Sequence, residues 1–154
     1  EAEIGIVTGH EGKTFAINDV SDAYTDPELA ARYVKDTGID ALAASVGTVH
    51  GFYATKPKLD FDRIAEIANT IPTPLVLHGG SGLSDSDFRT AVERGISKVN
   101  IFTDINQAGA RAAGSGYREG IGLTDMILPE IEAVKRSVME KMRLFGSAGH
   151  GSGR

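Results

Sequence analysis

Four short apolar runs, each followed by a segment of helical periodicity, leave this chain few ways to fold. The runs span about Glu3–Val7, Ala41–Val46, Pro74–Leu77 and Ser97–Phe102. After the first comes a polar, glycine-containing loop from Thr8 to Thr25, then a helix start at Asp26-Pro27-Glu28-Leu29. An acidic N-cap followed by proline at the first helical position is a strong start signal. Leu29, Ala30, Tyr33 and Val34 fall on one face of that helix, and Gly38 ends it. The second helix opens within Leu59–Ile64 and carries Phe61, Ile64, Ile67 and Ala68 at helical spacing. Ser84-Asp85-Ser86-Asp87 caps the third, whose apolar face is Phe88, Ala91 and Val92 and whose end is Gly95. Thr103-Asp104 begins a fourth. A long last helix covers about Asp125–Leu144, interrupted or restarted at Pro129.

This βαβαβαβα order predicts a parallel sheet covered by helices. Pro74–Leu77 is apolar without interruption, as expected of a strand buried on both faces. About four parallel strands alternating with helices amount to half of a (β/α)8 TIM barrel. The chain opens on Glu1 inside what reads as a strand, which suggests that an N-terminal portion precedes it. Residues 1–145 are expected to form the partial barrel domain, with 146–154 a flexible, glycine-rich tail.

Composition narrows the function. A net charge of −5 without a basic block argues against nucleic acid or an anionic membrane as partner. No run approaches the roughly 20 apolar residues that span a bilayer. The chain has no cysteine, so it has neither disulfides nor thiolate ligands, and a cytoplasmic setting is expected. Glycine is abundant, at 19 of 154 residues, so tight turns and close approach to a ligand matter.

Chemistry-bearing residues gather where strands end. His50 and His78 are 28 residues apart, each after an apolar run and each followed by glycine. That spacing fits one strand–loop–helix–strand unit, so both imidazoles are expected on one rim, where barrels place their catalytic groups. Two such histidines favour a metal site over a structural role, through neutral imidazole ligation. A catalytic zinc wants three protein ligands, yet His10 falls in the polar loop and His150 in the tail. Gly79-Gly80-Ser81-Gly82 precedes a helix N-terminus and is either an anion nest or simply a tight turn. Asn100–Asp104 likewise ends a strand and starts a helix. Glu1 and Glu3 share one side of the first strand, as a cation site or as a solvated edge. Glu11, in the loop, is a solvated charge or a mobile general base.

In order, Glu1-Ala2-Glu3-Ile4-Gly5, Val46-Gly47-Thr48-Val49-His50-Gly51, Lys58-Leu59-Asp60-Phe61, Leu75-Val76-Leu77-His78-Gly79-Gly80-Ser81-Gly82, Lys98-Val99-Asn100 and Phe145-Gly146-Ser147-Ala148 resemble one family. They look like the C-terminal half of a class II, zinc-dependent ketose-bisphosphate aldolase of the fructose- or tagatose-bisphosphate type. The resemblance implies that His50 and His78 are two of three histidine zinc ligands, and that Glu3 holds the metal in an alternate position. It implies that Glu11 transfers the proton at the dihydroxyacetone phosphate carbon. Gly51, Gly79, Ser81, Asn100 and Thr103 match residues that contact that substrate, chiefly its phosphate. The cofactor implied is Zn2+, with a monovalent cation as a further activator, and the complete protein is expected to be a dimer or tetramer of identical chains. The family's first histidine ligand and its catalytic aspartate lie before residue 1.

Departures touch the aldehyde partner. Ala54 stands where the family often has lysine after the tyrosine matching Tyr53, and Lys56 is the nearest substitute. His10 and Phe102 also differ from the family's usual residues. Two alternatives stay open: a metal-dependent sugar-phosphate isomerase or epimerase, and a catalytically inert half barrel.

Overall fold

A computed structural model describes residues 1–5, 9–15, 24–48, 50–53 and 57–151, with the backbone alone for 9–15 and 50–53. The elements, in chain order, are β1 (Ala2–Ile4), β2 (Gly9–Phe15), α1 (Pro27–Thr37), β3 (Leu42–Ala44), β4 (His50–Tyr53), α2 (Phe61–Thr70), β5 (Leu75–Leu77), α3 (Asp85–Glu93), β6 (Ile96–Val99), α4 (Thr103–Gly116) and α5 (Leu123–Leu144). They form two units, Glu1–Ile101 and Phe102–Arg154.

In the first unit β1, β3, β5 and β6 make a four-stranded parallel sheet in that spatial order. The alternation with α1, α2 and α3 is the half-barrel pattern that the apolar runs predict. The strands are shorter than those runs. Gly5, at φ 93°, ends β1 early, and β6 spans Ile96–Val99 rather than Ser97–Phe102.

The helices start and stop where their side chains satisfy the ends. Asp26 accepts the Leu29 N–H at 2.9 Å, Pro27 takes the first helical position, and the Gly38 N–H bonds back to the Val34 carbonyl. Asp60 caps α2 through the Arg63 N–H at 2.9 Å. Ser84 and Asp87 cap α3 reciprocally, each side chain accepting the other's backbone N–H at 3.2 Å. Such a box satisfies two donors that the helix itself cannot. The faces turned inward are Ala30 and Val34, Ile64 and Ile67, and Phe88 and Ala91. Leu29, expected on the buried face of α1, is 42% exposed.

Beneath these helices lies a core of Leu42, Ala44, Leu75, Leu77 and Phe88. Thr25, buried just ahead of α1, ties two strand ends together. Its hydroxyl donates to the Ile4 carbonyl at 2.8 Å and accepts the Ser45 N–H at 2.9 Å. β5 is buried throughout, as its unbroken apolar sequence requires.

The segment read from sequence as a loop, Thr8–Thr25, contains β2. This strand pairs in parallel with β4, Gly9 opposite His50 and Phe15 opposite Tyr53, with a register shift between Gly9 and Thr14. The polar sequence Gly-His-Glu-Gly-Lys-Thr-Phe carries no run of apolar residues, so periodicity could not reveal it.

In the second unit α4 and α5 pack as an antiparallel pair. A Cβ placed on Gly109 would lie 3.1 Å from Val134 Cγ2, and Asp104 pairs with Lys141 at 3.0 Å. α5 runs unbroken through Pro129, from Leu123 rather than Asp125. The proline lies in the second turn, where it removes a single backbone bond, and fifteen helical residues follow it. Turns follow α5: the Ser147 N–H bonds to the Met142 carbonyl at 3.0 Å.

Phe88 is fully buried, and its ring limits how closely Gly80 can approach. Phe88→Ala is expected to cost about 3–5 kcal/mol in urea unfolding. A loss below about 1 kcal/mol would show that this ring does not hold α3 and the loop before it.

Candidate active site

Parallel pairing aligns residues of neighbouring strands in rows, and alternate residues along a strand share a face. Glu3 pairs with Ala43, Ala43 with Val76, and Val76 with Lys98. His78 lies two residues beyond Val76, and Glu1 two residues before Glu3. Glu1, Glu3, His78 and Lys98 therefore project from one face of the sheet. The opposite face carries Leu77 and Val99 and is covered by helix: Phe88 of α3 and Val99 both crowd Gly80.

On the polar face the side chains meet. His78 Nδ1 is 3.0 Å from Glu3 Oε2, and Nε2 is 3.1 Å from Glu1 Oε1. The other oxygen of Glu1 accepts from Lys98 Nζ. The contact to Glu3 crosses β3, and it can do so because the intervening residue is Ala43, the smallest side chain with a Cβ. The imidazole is only 15% exposed, whereas Glu1, Glu3 and Lys98 are 29%, 35% and 52% exposed. Hydrogen bonding from Lys98, then from His78, holds the Glu1 carboxyl below the usual carboxylate range.

His50, expected on the rim just after the second apolar run, does not follow that strand directly. β3 stops at Ala44, and His50 begins β4, in the small two-stranded sheet. A buried turn makes the passage. Gly47 has φ 104°, and a Cβ there would lie 2.4 Å from the Lys58 carbonyl oxygen and 2.8 Å from Tyr24 Oη. Only glycine fits that turn. The Asp60 N–H then closes it onto the Val46 carbonyl at 3.0 Å. Thr48 follows, 2% exposed, and its hydroxyl has no hydrogen-bond partner among the described residues.

Glu11 lies on β2 rather than in a loop, and β2 runs beside β4, so the backbones of Glu11, His50 and Gly51 belong to one small sheet. The side chains of His10, Glu11 and His50 lie outside the described residues, as do Val7, Ala54 and Lys56 altogether. Gly79 to Gly82 form a turn, with the Leu83 N–H bonding to the Gly80 carbonyl at 3.3 Å. Ser81 there is buried. The cap of the helix that follows uses the N–H groups of Ser84 and Asp87, and both Asp85 and Asp87 sit in its first turn. An anion at this loop would meet the turn's N–H groups and Ser81, with the two carboxylates of the first helical turn opposing it. Asn100 follows β6, with its N–H on the Leu77 carbonyl at 3.0 Å. Thr103, in the second unit, is buried at the start of α4.

Among the described residues no group of three or more His, Cys, Asp or Glu side chains is disposed to hold a metal ion. What they offer is one imidazole nitrogen beside one carboxylate, a donor pair suited to a borderline cation such as Zn2+. The notable omission from the sequence reading is Lys98. Its signal was present: a lysine inside a strand, at the position that alternation places on the polar face.

A parallel α/β sheet with an imidazole and two carboxylates on one face is the arrangement the described residues define. Comparison with known proteins gives the family. The model of class-II fructose-bisphosphate aldolase matches residues 1–150, and the chain belongs to that family. It is 38% identical over 151 residues to the protein YdjI of Escherichia coli K12, covering 97% of this chain and 52% of that protein. The crystal structure of the YdjI aldolase superposes with a TM-score of 0.74 at 35% identity, covering 89% of this chain and 48% of that one. A putative fructose-1,6-bisphosphate aldolase from Coccidioides immitis gives 0.83 at 28% identity, over 96% and 52% of the two chains. The fructose-bisphosphate aldolase of Campylobacter jejuni gives 0.65 at 25%, over 83% and 47%. The chain spans about half the length of these relatives, and its alternating parallel strands and helices match about half of their fold. No helix among the described residues is long and apolar enough to cross a membrane.

The lowered Glu1 titration has a definite sign. A carboxyl that titrates lower folded than unfolded adds stability above the ordinary carboxylate range, and loses it as pH falls through the folded value. Lys98→Met is expected to move the Glu1 midpoint up toward the ordinary range in a carboxyl 13C NMR titration. An unchanged midpoint would remove Lys98 as the main cause.

Proposed function

We propose that this chain is the substrate-gripping half of a zinc-dependent class II aldolase. The complete barrel would cleave a ketose 1,6-bisphosphate, of the fructose or tagatose type, reversibly into dihydroxyacetone phosphate and an aldehyde phosphate. The observation that carries this proposal is the His78–Glu3 contact on the polar sheet face, in a chain of this family.

His50 and His78 would hold the metal, with Glu3 as an alternate ligand, and a third histidine would come from the other half barrel. Bound there, zinc supplies Lewis-acid polarisation of the substrate ketone and so lowers the cost of an enediolate. Glu11 is the base we assign to the proton on the adjacent carbon; the pairing of β2 with β4, which carries His50, supports this. Gly51, Gly79, Ser81, Asn100 and Thr103 would bind the substrate, chiefly its phosphate. The N–H groups around Gly79–Gly82 and the Ser81 hydroxyl suit that task. Phosphate binding remote from the reacting carbons orients them, so its loss raises KM and lowers kcat together.

The test is product analysis on the complete barrel with and without chelator. Chelator-sensitive release of two three-carbon phosphates is expected, whereas a single six-carbon product would make the enzyme an isomerase or epimerase. His78→Ala should abolish both zinc content and cleavage, and retained zinc would refute the ligand role. Glu11→Ala should keep zinc while slowing hydrogen exchange at dihydroxyacetone phosphate by about 100-fold or more. A loss of zinc instead would make Glu11 a ligand.

A further inference from the structure

We propose that Glu1, braced by Lys98, is the positioning residue of the metal site, holding His78 by Nε2 so that Nδ1 faces the cation beside Glu3. This rests on the zinc reading above and deepens it by assigning the ring's two sides. A neutral imidazole has one N–H and one lone pair. His78 lies between two carboxylates, 3.0 Å from Glu3 and 3.1 Å from Glu1, so a neutral ring donates to only one of them. On the other side a nitrogen lone pair faces carboxylate oxygen, an arrangement that a bound cation resolves.

The surroundings decide which side that is. Glu1 is already matched by the Lys98 ammonium, which would repel a second cation. Among the described residues Glu3 pairs with His78 and with no cation. Among the described residues, then, a metal approaching Nδ1 meets a carboxylate that carries no cation, and one approaching Nε2 meets one already paired. In the neutral ring that binds a metal through Nδ1, the N–H is therefore on Nε2 and donated to Glu1. Metal-bound histidines commonly give their second N–H to a carboxylate, which fixes tautomer and ring orientation. Lys98 reaches Glu1 because the row Glu3, Ala43, Val76, Lys98 puts it on the same sheet face.

The experiment is a competitive Zn2+ titration of the complete barrel, paired with 15N NMR of the His78 ring in the metal-free protein. Glu1→Gln is expected to weaken zinc binding about 10–100-fold and to convert a single Nε2–H tautomer into a mixture. Lys98→Met, at a half-exposed position whose loss should leave the fold intact, should shift both readouts in the same direction. Lys98→Arg should restore them. Wild-type zinc affinity and tautomer in Glu1→Gln and Lys98→Met would overturn the proposal. So would complete loss of zinc in Glu1→Gln, which would make Glu1 a ligand. If His78→Ala retains zinc, the metal assignment itself fails, an outcome distinct from both.

Discussion

The registered row across β1, β3, β5 and β6 is the constraint on which the site depends. Because Glu3, Ala43, Val76 and Lys98 are lateral neighbours, one sheet face collects two carboxylates, an imidazole and an ammonium. A one-residue slip of β1 would turn Glu1 and Glu3 to the helical side, where Leu42, Ala44 and Leu77 are packed. Ala43 is as necessary as the charged residues. Any longer side chain there would stand between Glu3 and His78.

The same register explains the division of labour between faces. The helical side is sealed by Ile64, Ile67, Phe88 and Ala91, and it supplies the burial that fixes the strands. The polar side buries Ala43 and Val76 and carries the chemistry on the residues around them. In a closed barrel such a face is interior, so its charges must be mutually compensated. Lys98, Glu1 and His78 meet that requirement among themselves, and Glu3 is the carboxylate left for the proposed cation.

Much of this was legible in the sequence. The apolar runs, the Asp26 and Ser84 caps and the helical spacing of Ile64 and Ile67 announce the alternating order, since each reflects a local rule. The shared side of Glu1 and Glu3, and His78 at a strand end, were legible for the same reason. What escaped depends on pairing between distant segments. β2 is polar and is a strand only because β4 lies beside it. His50 was expected on the rim just after the second apolar run, yet it lies beyond the Gly47 turn, in another sheet. Lys98 gains its partner from a residue 97 positions away, beyond any local pattern. The Gly79–Gly82 loop precedes a helix as expected, but two acidic residues, Asp85 and Asp87, stand in that helix's first turn.

The central claim is that the His78–Glu3 side of this face binds a metal. A crystal of the zinc-loaded complete barrel, measured at the zinc absorption edge, tests it directly. The account predicts an anomalous peak about 2.0–2.1 Å from His78 Nδ1, with Nε2 still on Glu1. A peak on Nε2, or one that does not involve His78, would contradict it.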